Sequence, residues 1–375
     1  MSFGLAITGT GVWTPPDVVT NAELCAAFNA WVGRENERNA EAIAAGTAEE
    51  LPESSPEFVL KASGIKQRHV TDKQGVLDID LMRPRIPERA DDQLSIQAEW
   101  AVKAARMALE QAGRDGSDVD MVILACANIQ RPYPAVAAEV QKELGASGFA
   151  FDMLAGCAST SFPLQLCCDT IRAGHAKCAL VVNPELMSGH ANFKDRDSHF
   201  IFGDAATAMV IESADHAAGK GDIWEILDSM LVTSYSPNIR NNGGYLNRCD
   251  PEHASDPDKL FYQHGRRVFK DVVPMAAEFM AKQLAELGIK PEEIDRYWLH
   301  QANTNLNRVI MSRLLGREAT ETEAPQILET YGNTAAAGSI IAFHDRRADL
   351  DSGARGVICS FGAGYSIGSI VLRKR

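Results

Sequence analysis

Two stretches of this chain align with each other without a gap. LEQAGRDGSDVDMVILACAN runs from Leu109 to Asn128, and LAELGIKPEEIDRYWLHQAN runs from Leu284 to Asn303. Six of the 20 positions are identical: leucine, glycine, aspartate, a second leucine, alanine and asparagine. Each stretch reads as a helix end, a turn, a short strand and a loop. The spacing is 175 residues, from Asn128 to Asn303. GCASTS and GNTAAAG repeat it at 176, with Cys157 and Asn333 both following a glycine. AKCALVVN from Ala176 and ARGVICSF from Ala354 repeat it at 178. Three matches in one order mark a duplicated unit, and the fold must accommodate two copies of it.

Within each copy, helical and strand patterns alternate. Apolar residues recur at helical spacing through LSIQAEWAVKAARMALEQAG, with Gly113 placed to cap the C-terminus. VDMVILACA is a continuous apolar run, the pattern of a strand covered on both faces. VAAEVQKELG is helical again, and GFAFDML and AKCALVV are further strands. Such alternation predicts βαβ units and a mainly parallel sheet. The expected architecture is α/β, with duplicated βαβ halves in a layered α-β-α-β-α core related by a pseudo-two-fold axis. The halves are expected at 1–215 and 216–375. The blocks at 29–57 and 72–92 have no counterpart in the second half; they are polar, broken by proline, and expected to cap one face of the core.

Several classes of function drop out. The net charge of −13 argues against bulk binding to nucleic acid or an anionic membrane, though not against a local basic patch. There is no run of 18 apolar residues to span a membrane, and MSFGLAITGTGVW lacks the layout of a secretion signal. The eight cysteines show no C-x-x-C pair, which fits a reduced cytosolic compartment. Without such a pair or an H-E-x-x-H, no metal is expected. GTG at 9–11 falls short of a dinucleotide fingerprint.

One cysteine stands out by position. In FDMLAGCASTSFPLQ an apolar run stops at Gly156, Cys157 follows, and only small residues surround it. Pro163 belongs in the first turn of a helix, so that helix should begin near Ser159 or Thr160 and end at Gly174. The thiol would then lie just ahead of a helix N-terminus. A dipole effect of roughly 0.3–1 kcal/mol lowers a thiol pKa by less than about one unit, so a nucleophile there needs further help. The repeat points to it. His300 takes the place of Ala125, and Asn333 takes the place of Cys157 itself. If the halves meet along a shared axis, Cys157, His300 and Asn333 converge on one pocket. Each has a plainer reading alone: a packed thiol, a satisfied polar residue at a strand end, a turn asparagine.

That trio, together with HQAN, YGNTAAAGS, FGDAATAMVIE and the terminal SFGAGYSIGS, resembles the thiolase-fold condensing enzymes, above all the β-ketoacyl-acyl-carrier-protein synthase III family. The similarity runs from ITGTGVWTP through SGIKQRHV to the last strand. It implies an acyltransferase of fatty acid synthesis in which Cys157 takes the acyl group from an acyl-CoA. His300 and Asn333 would then bind the thioester carbonyl of malonyl-acyl carrier protein as CO2 leaves, and the carbanion attacks the acyl-enzyme. The backbone N–H groups of Cys157 and Ala363 match the family's oxyanion hole. Phe58, Lys270, Asn303 and Phe361 match substrate-binding positions. Tyr133 matches an aromatic that crosses a homodimer interface into the partner's acyl pocket, or is a tyrosine packed between two prolines. Arg266, Arg267 and Lys270 would form a basic patch for the acidic carrier protein, or an ordinary solvated helix face. No cofactor is implied beyond the CoA thioester, which is a substrate.

The departures from the family pattern shape the expectation. Phe58 stands where many members have a tryptophan that stacks on the CoA adenine. Ala62 and Asn305 each replace an arginine. With the longer caps, these point away from acetyl-CoA and towards a medium-chain primer. Two rivals remain: a non-decarboxylating condensation of two acyl-CoAs, as in olefin synthesis, and a Cys-His-Asn thioester hydrolase.

Overall fold

The computed structural model describes residues 4–215, 217 and 222–375. Nine strands make one continuous sheet: β1 (Leu5–Trp13), β2 (Met121–Cys126), β3 (Phe149–Leu154), β4 (Cys178–Glu185), β5 (Ala205–Ser213), β6 (Trp224–Ser236), β7 (Arg296–Leu299), β8 (Arg355–Gly362) and β9 (Gly364–Lys374). Their order is β3-β2-β4-β5-β1, then β6-β9-β8-β7. From the central β1–β6 contact outwards, the second set repeats the first, with no strand opposite β3 among the described residues. The boundary expected between residues 215 and 216 falls at the edge of the described set, with 216 outside it.

The expectation of a mainly parallel sheet needs correction. β2 runs parallel to β3 and β4, and β7 runs parallel to β8. The pairings of β5 with β1 and β4, of β9 with β6 and β8, and of β1 with β6 are antiparallel. One reversed strand inserted in the middle of each set turns most neighbouring pairs antiparallel. The apolar pattern reports burial on both faces, not direction.

Eight principal helices cover these faces: α1 (Asn21–Arg38), α2 (Pro56–Ser63), α3 (Ile96–Ala112), α4 (Val136–Leu144), α5 (Ser161–Arg172), α6 (Gly265–Glu286), α7 (Thr304–Leu315) and α8 (Ala337–Asp345). α3 and α4 pack on the outer face of the first strand set through residues such as Ala101, Ala105 and Val140, against Leu180 and Val182 of β4. α6 and α7 do the same for the second set, against Val357, Cys359 and Phe361 of β8. α5 and α8 lie between the sets, where Leu164 and Ile341 meet Val181 of β4 and Ile358 of β8. The alternation along β4 and β8 thus divides each strand between an outer and a central core, which builds the α-β-α-β-α layering.

The repeat has a physical basis. Gly113 and Gly288 both take left-handed φ, at 64° and 67°, ending α3 and α6. Asp120 accepts from Lys177 N at 2.7 Å, and Asp295 accepts from Arg355 N at the same distance. Each aspartate anchors the approach to the strand that pairs beside it. The GTG motif has a packing role: a Cβ at Gly9 would stand 2.0 Å from Ala108 O, and one at Gly11 would stand 2.0 Å from Ala104 O. Only glycine lets α3 lie this close to β1.

The caps are less polar in place than in sequence. α1 begins at a capping box between Thr20 and Glu23 and runs across the expected start of the block at 29, as far as Arg38. It buries Leu24, Phe28 and Val32 against Phe200 and Phe202. This cluster forms one wall above the end of β3, where Cys157 lies.

Candidate active site

Cys157 sits in a single 3-10 turn, Gly156–Ala158, between β3 and α5. α5 starts at Ser161, with Pro163 in its first turn and Gly174 just beyond its C-cap. The thiol is therefore four residues from the helix, beyond the turn over which a dipole acts strongly. It borders a cavity, and burial pushes its pKa up to about 12, with the charge of Glu185 acting in the same direction. The modest lowering expected from the helix is outweighed.

His300 follows β7 directly and is buried. Its N–H donates to Cys359 O at 2.8 Å, and Asn307 Nδ2 donates to its carbonyl at 2.9 Å. Phe361 meets the imidazole edge-to-face at 5.3 Å. Burial lowers the ring pKa to about 4, with the Ala335 main chain opposing. The neutral imidazole carries one N–H, and Nδ1 has no hydrogen-bond partner among the described residues. Asn333 lies between a short helix (Leu328–Tyr331) and α8. Its Oδ1 accepts from Ala335 N at 2.9 Å, which leaves the Nδ2 donors as its free polar group.

Cys157, His300 and Asn333 line one cavity of about 820 Å³. Phe58, Asn303, Phe361, Arg266 and Arg267 line it as well. Asn303 is committed to structure: its Oδ1 caps α7 at Asn305 N and Leu306 N, and its Nδ2 donates 2.5 Å to Ala62 O. It ties α2 to α7 across the cavity mouth. Arg266 and Arg267 are exposed at the rim. Lys270 is exposed one turn further along α6 and does not border the cavity. Tyr133 is 81% exposed, away from this chain's cavity. Gly362 and Ala363 lie against the Cys157 turn. A Cβ at Gly362 would stand 2.6 Å from Cys157 Cβ, and Ala363 Cβ is 3.5 Å from the position of a Cβ at Gly156.

Sequence reasoning missed several residues in the cavity lining and beside it. Phe200, Phe202 and Phe261 make much of the apolar wall, and Phe202 meets Phe261 edge-to-face at 4.6 Å. Arg196 places its guanidinium 4.1 Å from the centre of the Phe58 ring and donates 2.7 Å to Glu53 O in the cap. The apolar alternation in HFIFGD was the only available signal for the wall; nothing in sequence pairs Arg196 with Phe58. Glu185, at the end of β4, lies buried behind the Cys157 turn. Among the described residues no cluster of His, Cys, Asp and Glu could hold a metal ion, and no helix is long and apolar enough to cross a membrane.

Residues 151–232 match the family described as 3-oxoacyl-[acyl-carrier-protein] synthase III, and residues 284–374 match its C-terminal counterpart. The chain is 53% identical to the β-ketodecanoyl-[acyl-carrier-protein] synthase of Pseudomonas aeruginosa, across 93% of this chain and 99% of that one. The crystal structure of 3-oxoacyl-[acyl-carrier-protein] synthase III from Aquifex aeolicus superimposes with a TM-score of 0.75 at 25% identity, covering 99% of this chain and 100% of that one. Xanthomonas campestris OleA, at 16% identity and a TM-score of 0.73 over the full length of both chains, shares the fold. With the cysteine turn, the imidazole and the carboxamide drawn to one cavity in this fold, the chain belongs to the β-ketoacyl-acyl-carrier-protein synthase III family of condensing enzymes.

Proposed function

We propose that this acyltransferase loads a medium-chain acyl group from acyl-CoA onto Cys157 and condenses it with malonyl-acyl carrier protein, releasing CO2. The observation that carries the reaction is the shared cavity of Cys157, His300 and Asn333. In this reading Cys157 Sγ attacks the acyl carbonyl, and CoA leaves as its thiol. Backbone N–H groups of Cys157 and Ala363 take the oxyanion. The neutral His300 ring and Asn333 Nδ2 then hold the malonyl thioester oxygen while the carboxylate departs, and the resulting carbanion displaces Cys157. Phe58 and Arg196 offer a flat ring under a cation at the mouth, suited to an adenine and its phosphates. Arg266, Arg267 and Lys270 have no ion-pair partner among the described residues, which leaves them available to an acidic carrier protein.

The 53% identical relative, named for a ten-carbon product, supports this primer length. Decarboxylative condensation adds two carbons, so an eight-carbon primer fits. Octanoyl-CoA should exceed acetyl-CoA in kcat/KM by at least about ten-fold, roughly 1.4 kcal/mol of differential transition-state binding. Labelled CO2 release from malonyl-acyl carrier protein should match product formation one for one. Equal use of acetyl-CoA removes the medium-chain reading; product without CO2 removes the decarboxylative one.

The enzyme is proposed to work as a homodimer. β3 is the edge of the sheet, and it exposes Phe149 by 41% and Leu154 by 57%, with Tyr133 nearby through the Asp152 cap of α4. An uncovered apolar edge of this kind invites pairing with a second copy. Light scattering should give twice the chain mass, and Leu154→Lys should shift the enzyme towards monomer. A wild-type monomer at micromolar concentration would end this part of the proposal.

A further inference from the structure

Glu185 is a carboxyl in an unusual place. It is fully buried at the end of β4 and has no cationic partner among the described residues. Its oxygens accept only main-chain N–H groups: Ala127 at 3.0 and 3.1 Å, and Ala336 at 3.1 Å. Ala127 follows β2 in the first half, and Ala336 precedes α8 in the second. The carboxyl thus joins the two copies beside the Cys157 turn, which Ser159 Oγ ties to the end of β2 by donating 3.1 Å to Cys126 O.

The Ala336 peptide is held on both sides. Its N–H donates to Glu185, while its carbonyl accepts from Thr160 Oγ1 at 2.5 Å. Thr160 is three residues from Cys157, and Ala336 is three from Asn333. Between Asn333 and Ala336 the chain passes through Ala335 at φ 46°, a left-handed conformation that alanine adopts only when its surroundings hold it there. Asn333 Oδ1 binds the Ala335 N–H from inside that turn. Glu185 and Thr160 hold the turn from outside, Glu185 at the Ala336 N–H and Thr160 at its carbonyl.

A neutral amide could serve as a simple acceptor. Asn183, two residues earlier on β4, already uses its Nδ2 to hold Ala125 O and Ser159 O. A carboxyl buried without a counter-ion is costly. What it adds, once ionised, is two acceptor oxygens with no competing N–H, turned towards two donors from different halves.

We propose that Glu185 is a positioning residue for the condensation step, setting the Asn333 turn against the Cys157 turn through the Ala336 and Ala127 amides. The titratable groups that face it are Cys126 on β2, Cys157 before α5 and Asp204 before β5. Burial pushes the Glu185 carboxyl up to about 8. It therefore holds a proton near neutrality, and above that range its charge raises the Cys157 thiol.

The proposal rests on Asn333 acting in decarboxylation, so Asn333→Ala is measured alongside. Glu185→Gln keeps the volume but sets an NH2 against the Ala127 N–H and cannot ionise. At about pH 9, where the carboxyl is ionised, malonyl-thioester decarboxylation should fall about ten-fold or more in the variant, while acylation of Cys157 does not fall. Above pH 8, iodoacetamide should alkylate Cys157 several-fold faster in the variant than in wild type, because no carboxylate forms beside the thiol. A merely structural role would not separate the two half-reactions or move that profile. Equal losses in both half-reactions, or superimposable alkylation profiles, overturn the proposal. If Glu185→Gln does not fold, Glu185→Asp, too short to reach both amides, decides by the same ratio of half-reactions. If Asn333→Ala retains decarboxylation, it is the assignment of Asn333 that fails.

Discussion

The Cys157→Ser enzyme will carry no acyl group after exposure to octanoyl-CoA, and condensation will drop by at least roughly 10³-fold. Intact-protein mass spectrometry reads the first effect and product formation the second. The size of the loss follows from the surroundings of the thiol. No basic side chain forms a hydrogen bond to Cys157 among the described residues, and burial works against ionisation. Sulfur copes with this because it is polarisable and carries a far lower intrinsic pKa than a hydroxyl. A serine in the same turn has neither advantage, and nothing nearby would take its proton.

The same substitution should leave the fold intact, with a melting temperature within about 2 °C of wild type. The side chain faces the cavity, and serine is the smaller residue beside Gly362, where space is short. Peptide mapping supplies the decisive control. Six other cysteines are buried, and Cys249 is exposed at the end of a short 3-10 turn. Among the described residues only Cys157 borders the cavity. An acyl adduct on Cys249, or a Cys157→Ser enzyme that still acylates as fully as wild type, would show that the nucleophile has been misplaced.

The repeat was legible in sequence because its duplicated residues do local work. Gly113 and Gly288 end helices, and Asp120 and Asp295 bind the start of a neighbouring strand, so each copy needs the same residues at the same spacing. Cys157, His300 and Asn333 could be aligned for the same reason: all three sit at loop positions fixed by that repeat. Strand direction was not legible. β5 and β9 are buried on both faces like their parallel neighbours, and burial is all that the apolar pattern encodes. The thiol's environment was misjudged because a helix N-terminus is visible in sequence, while the packing that desolvates Cys157 comes from Gly362, in the other copy. Arg196 over Phe58 was hidden for a related reason, since 138 residues separate partners that meet only in the folded chain.

The second large effect separates the two half-reactions. His300→Ala and Asn333→Asp should each lower decarboxylation of malonyl-acyl carrier protein by about 10²–10³-fold, the usual cost of one oxyanion donor at 2.7–4 kcal/mol. Acylation of Cys157 should fall by less than about ten-fold, because neither donor is assigned to the first oxyanion. Asn333→Asp is the sharper of the two. Its retained oxygen can still accept from Ala335 N and keep the turn, while the donor facing the cavity becomes an acceptor. His300→Ala also removes a buried ring that packs on Phe361, so its melting temperature must be followed in parallel. The double variant should lose little more than the worse single one, since two donors to one oxygen act as a unit. Stopped-flow acylation and labelled CO2 release measure the two steps separately. Equal losses in both would mean that imidazole and carboxamide serve the nucleophile rather than the malonyl thioester, and the division of labour drawn from their shared cavity would have to be reversed.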